Sequence, residues 1–148
     1  MKKILFFLIA VVFVATSCEG PMGPEGPAGP SGSLNRYVYD YEVRSVDWSA
    51  AVDNNDLFLH YQCFFNETDL TPNIYNNGVL VAYLEVKEGD NYVQKPLPYE
   101  IVIEDSNGMY TQTIDFDYST GSIGFYVKNS KFIEDKPGTM LFRVVFLW

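Results

Sequence analysis

Histidine is almost absent from this chain: His60 is the only one among 148 residues. Triad-type nucleophilic catalysis needs a histidine beside the nucleophile, so any such chemistry would have to be built on His60. Leu59 and Tyr61 flank it in mid-strand, which suits a structural or surface position better than a catalytic loop rim. Cysteine is nearly as scarce. Cys18 and Cys63 are the only two, too few for a disulfide framework or for a zinc site of the common Cys and His types. Cys63 lies in the apolar run Tyr61-Gln62-Cys63-Phe64-Phe65 and reads as a buried strand position. Basic residues are also short, ten Lys and Arg against nineteen Asp and Glu, for a net charge of −9. A surface of that sign lacks the basic footprint that nucleic acid requires and repels anionic headgroups. Long hydrophobic runs are missing too: Ile4 to Ala15 is about twelve residues, where a membrane-spanning helix takes roughly twenty.

What is present begins with that short run. Lys2-Lys3 followed by Ile4 to Ala15 has the positive n-region and apolar h-region of a secretory signal, covering residues 1–17. Ala15-Thr16-Ser17-Cys18 resembles a bacterial lipobox, with Ala15 standing where leucine is usual. The resemblance implies that Cys18 is lipidated and becomes the new N-terminus. Two acyl chains hold a protein on a bilayer durably, at about 0.8 kcal/mol per buried methylene, so the membrane partner would be reached through lipid rather than charge. Residues 18–33 then form a stalk. Gly20 to Ser31 repeats Gly-X-Y four times with proline at every X, and Gly32 follows. Gly at every third position is the demand of a collagen triple helix, but so few triplets make a marginal one. A single chain of this composition extends as polyproline II, at about 3.1 Å per residue, and spaces a domain on the order of 40 Å from the bilayer. A monomer on a spacer is the expectation, and trimerisation through the stalk the alternative.

Residues 34–148 supply the folded domain. With aromatics at 16% and apolar residues at 47%, the sequence can bury enough surface to offset chain entropy. Tyr37, Tyr39, Tyr41 and Val43 alternate onto one face of a first strand; Val46 and Trp48 take the opposite phase, which a bulge near Arg44-Ser45 would explain. After the turn Asp53-Asn54-Asn55-Asp56, the residues Leu57, Leu59, Tyr61, Cys63 and Phe65 line one face of a second strand, with His60 on the other. Thr71 to Gly78 predicts a short helix, with Thr71 as N-cap, Pro72 at its first position and Gly78 as a left-handed terminator. Val79 to Val86 predicts a central strand, and Pro96 and Pro98 place the next one at an edge. Asn107-Gly108 marks a hairpin between 99–104 and 109–118. Ile123, Phe125 and Val127 alternate, and the nearly continuous apolar run Met140 to Trp148 predicts a central strand. About eight strands with one helical turn predict an all-β fold, an antiparallel β-sandwich of jelly-roll-like form.

The lipobox cysteine, the Gly-Pro-X stalk, and the segments 74–84, 94–99 and 137–145 together resemble small Gram-negative lipoproteins that carry a collagen-like stalk and a C-terminal β domain. The resemblance covers nearly the whole chain. It implies a cell-envelope, outer-membrane location, and it carries no activity, catalytic residue or cofactor with it.

Candidate chemistry in the domain is sparse. Asp115-Phe116-Asp117 puts two carboxylates on one strand face, and 53–56 and Glu88-Gly89-Asp90-Asn91 offer hard oxygen ligands of the type calcium takes, without the twelve-residue loop pattern. A carboxylate-dependent glycoside hydrolase needs two such groups across a cleft, and among nineteen acidic residues a chance pair is expected. Tyrosine is the remaining signal, with eleven copies. Its flat face and polar tip suit sugar stacking and protein contact. Tyr37, Tyr39, Tyr41, Tyr61, Tyr110 and Tyr118 share faces with aliphatic residues and are expected in the core, which leaves Tyr75, Tyr92 and Tyr126 as candidate ligand contacts. The expectation is a non-enzymatic binding or adhesion module for a glycan or protein, with no cofactor.

Overall fold

The computed structural model describes residues 34–52, 57–106, 108–131 and 135–148, all within one compact unit, Ser33–Trp148. The signal, Cys18, the stalk and the turn 53–56 lie outside the described residues. Nine strands are described: β1 (Arg36–Val43), β2 (Ser49–Val52), β3 (Phe58–Asn66), β4 (Val79–Glu88), β5 (Asn91–Pro96), β6 (Tyr99–Asp105), β7 (Gly108–Ser119), β8 (Ser122–Asn129) and β9 (Met140–Leu147). One short helix, α1 (Pro72–Asn77), joins β3 to β4. Two antiparallel sheets, ordered β1-β9-β4-β5 and β2-β3-β8-β7-β6, make an all-β sandwich. The chain crosses between sheets after β1, β3, β5 and β8, while β2–β3, β4–β5, β6–β7 and β7–β8 are neighbours within a sheet.

Period-two alternation supplies the core. Phe142, Val144 and Phe146 of β9 face Ile123, Phe125 and Val127 of β8, and all six are buried. Leu80, Ala82 and Leu84 of β4 extend the same layer beside β9. The expected central position of β9 is observed, between β1 and β4, and β5, which ends on Pro96, is an edge strand as expected. On the solvent side of the first sheet Arg143 donates from Nε and a terminal nitrogen to Asp40, at 2.7 and 3.0 Å, and so ties β9 to β1. That bidentate bond holds the Asp40 carboxyl below its ordinary range.

Four local expectations are corrected. The phase switch after Val43 comes from a change of sheet: a 3-10 turn at Ser45–Asp47, closed by Arg44 and Asp47, carries the chain from β1 to β2 and leaves Val46 exposed and Trp48 buried. In β3, Phe58 is the buried residue and Leu57 is exposed, because the register against β2 shifts between Ala51 and Val52, inserting Leu59 as an extra residue. Thr71 does cap α1, its hydroxyl accepting from the Ile74 amide, but Gly78 is extended rather than left-handed. Glycine is needed there for closeness: a Cβ would sit 2.7 Å from the Ile74 carbonyl oxygen and 2.8 Å from that of Leu147. Finally, of the six tyrosines expected in the core Tyr61 is buried, Tyr39, Tyr41 and Tyr118 are half-buried and pack against the core, Tyr110 is half-buried and Tyr37 is exposed. Tyr39 and Tyr41 reach the rim and donate to the carboxylates of Asp69 and Glu67.

Those two bonds hold the loop between β3 and α1. Glu67 accepts from Tyr41 at 2.6 Å and from the Asp69 amide at 3.2 Å. The same loop exchanges backbone bonds with the β7–β8 turn, Glu67 N–H to the Gly121 carbonyl and Gly121 N–H to the Leu70 carbonyl. Leu70 is thereby held in the core.

Candidate functional site

The outer face of the five-stranded sheet carries the most organised group of polar and aromatic side chains. Register makes it a grid. Phe64 of β3, Gly124 of β8 and Asp117 of β7 lie in one row; Gln62, Tyr126 and Asp115 form the next; Lys128, Thr113 and Glu100 continue across β8, β7 and β6. Alternation along each strand places all of these opposite the buried residues Cys63, Phe125 and Ile114.

Gly124 is the empty square of the grid. A Cβ there would lie 2.8 Å from Asp117 Oδ1, from Phe64 Cε1 and from the Tyr126 hydroxyl, so three side chains lean over the space that a side chain would fill. Tyr126 donates to Asp117 Oδ2 at 2.8 Å and stands edge-on to His60 and Phe64, with centroids 5.5 and 6.0 Å away. Burial first, and then the bond to Asp117, pushes the Tyr126 hydroxyl up to about 12. It is therefore neutral at physiological pH, a donor to Asp117 whose oxygen can still accept. Phe64 is 55% exposed, an outward ring among polar neighbours.

Beside this cluster lies a hollow of about 310 Å³ lined by His60, Thr113, Asp115, Phe116, Asp117, Tyr126 and Lys128. A second, of about 460 Å³, is lined by Glu100, Thr111, Thr113, Lys128 and Ser130. Thr113 and Lys128 border both, so the two hollows lie side by side over β3, β8, β7 and β6. A larger hollow, about 570 Å³, opens near the β1–β2 turn between Glu42, Arg44, Asp47 and Phe64. Its guanidinium is already taken by Asp47 at 2.9 and 3.0 Å, and burial raises the pKa of its cysteine, Cys63, away from thiolate character. The sheet face is the better candidate because it brings an aromatic ring, Tyr126, together with Lys128 and the carboxylates of Asp115 and Asp117 around one hollow.

Of the three tyrosines expected at a site, Tyr126 is at the centre of this face. Tyr75 is on α1, 44% exposed, with its ring edge against Tyr118 at 5.8 Å. Tyr92 is 61% exposed on the edge strand of the other sheet, opposite Lys87. The three lie on separate elements and make no common surface. Of the partners of Tyr126, sequence reading places His60 on the outward face of its strand and Asp117 beside Asp115 on a polar face, and misses Phe64. An outward Phe on the polar side of β3 and a glycine in mid-strand were the available signals, but joining them needs the register between strands.

Of the acidic residues that offer oxygen ligands of the calcium type, three have other partners, and residues 53–56 lie outside the described residues. Asp117 accepts from Tyr126, Asp115 from the Phe116 amide, and Glu88 pairs with Lys95 at 2.7 Å. Among the described residues no group of three or more His, Cys, Asp or Glu is placed to hold a metal ion. No described helix is long and apolar enough to cross a membrane. No family model, curated protein or solved structure matches this chain. Function therefore rests on the geometry of the face and on the pattern of the sequence.

Proposed function

We propose that this chain is a cell-envelope lipoprotein of the outer membrane, lipidated at Cys18, whose β-sandwich is a monomeric, non-enzymatic binding module held off the bilayer by the Gly-Pro-X stalk. The observation that carries the binding role is the sheet face on which Phe64 and Tyr126 stand among polar groups that keep acceptor and donor capacity to spare, beside two adjoining hollows. Binding sites are concave and combine apolar surface with a few placed polar groups, and this face has both. Anchoring rests on the sequence: a signal of the right length ending at Cys18, followed directly by a stalk.

Hydrolysis is the weaker reading, because Asp115 and Asp117 lie two residues apart on one strand and Asp117 is engaged by Tyr126. Metabolic labelling with a palmitate analogue tests the anchor: wild type should incorporate label in membranes and Cys18→Ser should not. Photo-crosslinking in cells, from a probe placed at Gln62 in the face and at Glu42 as a control, tests the binding role. A partner, glycan or protein, captured from Gln62 alone supports the module. Capture of nothing at Gln62 would refute it, and light scattering of Cys18→Ser as a trimer would replace the monomer with an assembly unit.

A further inference from the structure

We propose that the adjoining hollows over β3, β8, β7 and β6 bind a neutral oligosaccharide, with Tyr126 as the stacking wall, Phe64 as a second ring just outside it, edge-on to Tyr126, and Asp115, Asp117 and Lys128 as the hydrogen-bonding wall. This rests on the reading of the domain as a binding module and names the ligand class.

A pyranose ring has an apolar C–H face and a rim of hydroxyls. The first needs an exposed aromatic ring, the second needs acceptors and donors side by side. Both are on this face. Phe64 offers an outward ring, and the Tyr126 ring is fixed by its bond to Asp117 and by the edges of His60 and Phe64. Asp115 and Asp117 accept only, Lys128 donates only, and the Thr113 hydroxyl, which donates to Glu100 at 3.2 Å, can still accept, so vicinal hydroxyls meet mixed partners. Charge-assisted bonds of this kind are the stronger ones.

The alternatives fit less well. A polyanion would meet Asp115, Asp117 and Glu100 on a chain of net charge −9. A simple cation would meet Lys128 in the wall between the two hollows. An amphipathic helix needs a continuous apolar groove, whereas the rings here are isolated among polar groups. The occupant is a chain rather than a single sugar, because the two hollows adjoin at Thr113 and Lys128 and successive rings of a chain can lie over both. Preorganisation comes from Gly124: any larger residue would occupy the space over which Phe64, Asp117 and Tyr126 close.

The test is calorimetric titration of the full-length lipoprotein in detergent micelles with neutral tetra- to hexasaccharides (β-glucan, α-mannan and xylan fragments), and with oligogalacturonate as the anionic comparator. At least one neutral oligomer should bind saturably, and the oligogalacturonate at least about tenfold more weakly. Phe64→Ala and Asp117→Asn should each weaken the neutral oligomer about tenfold, with unchanged circular dichroism, while Tyr75→Ala and Tyr92→Ala should leave it unchanged. Neutral-oligomer binding that survives both face substitutions would overturn this face as the site and leave the binding module standing. Failure of every neutral oligomer would overturn the ligand class, and the cross-linking experiment then decides the module independently. Self-association abolished by Phe64→Ala would overturn the proposal in favour of contact between copies.

Discussion

Phe125 of β8 and Phe142 of β9 stack face to face across the two sheets, with ring centroids 4.1 Å apart and planes 15° from parallel. Both are essentially fully buried, so the pair joins the central strands of the sandwich at its middle. Truncating either ring removes its own burial and leaves a void against the other. Phe125→Ala and Phe142→Ala should each cost about 3 to 5 kcal/mol, a large share of the roughly 5 to 15 kcal/mol that a domain commonly has. Urea unfolding checks this. The double variant should cost less than the sum of the two, because each single change already disrupts the contact.

Gly78 and Gly89 make a second, contrasting pair. Gly89 has φ of +62° and nothing within 4 Å of where a Cβ would be, so Gly89→Ala should cost about 1 to 2 kcal/mol, from backbone conformation alone. Gly78 has an ordinary φ of −99°, yet its Cβ would press on two backbone carbonyl oxygens that cannot rotate away. Gly78→Ala should therefore destabilise more than Gly89→Ala in the same urea titration. The reverse order would show that α1 can shift away from the end of β9.

Much of the fold was legible because one face of each strand is buried. Ile123, Phe125 and Val127 could not be offset by one residue without exposing all three. Thr71 announced its cap, and Asn107-Gly108 its hairpin, through local chemistry that needs no tertiary knowledge. The change of sheet after Val43 was not legible, since a bulge and a crossover leave the same phase shift in a sequence. Phe58 was misjudged for a related reason: a bulge at Leu59 reverses the alternation at the start of β3. The candidate site was legible in separate pieces, Tyr126 as an exposed ring, His60 as an outward strand residue and Asp115 with Asp117 as a polar pair, but not as one group. The partners of Tyr126 come from β3 and β7, and which strands flank β8, and in what register, is set by packing rather than by neighbours in the chain.

Tyr39 and Tyr41 predict how stability responds to alkali. Tyr41 is held above its ordinary value by burial first and by its bond to Glu67, and Tyr39 by its bond to Asp69 first. In both, ionisation would place a second negative charge against a carboxylate. The folded state thus holds these protons more tightly than the unfolded state, whose tyrosines titrate near 10. Their contribution is complete below about pH 10 and is lost as pH rises above it toward the folded values. Stability should be level through neutral and mildly alkaline pH and fall beyond about pH 10. Tyr41→Phe should cost on the order of 1 kcal/mol at pH 7, from the lost bond to Glu67, and should flatten the alkaline limb. A limb of unchanged steepness would assign the effect to other groups.

Gly124→Ala should separate stability from the architecture of the sheet face. The atoms that its Cβ would meet are the ends of three side chains at the surface, and they can turn outward into solvent. The cost in stability should accordingly be smaller than that of Gly78→Ala, where the obstructing atoms are backbone. The face should change much more. Displacing Asp117 from Tyr126 removes a hydrogen bond and a neighbouring negative charge, both of which favour the neutral phenol, while displacing Tyr126 outward also relieves its burial. The Tyr126 hydroxyl should then titrate below its present value of about 12, toward the ordinary tyrosine range. Asp117→Asn should lower it less, because burial, the largest cause, is retained. Following the Tyr126 ring resonances against pH in the three proteins reads this order directly; an unmoved titration in Gly124→Ala would mean that the ring and Asp117 re-form their contact over the new methyl group.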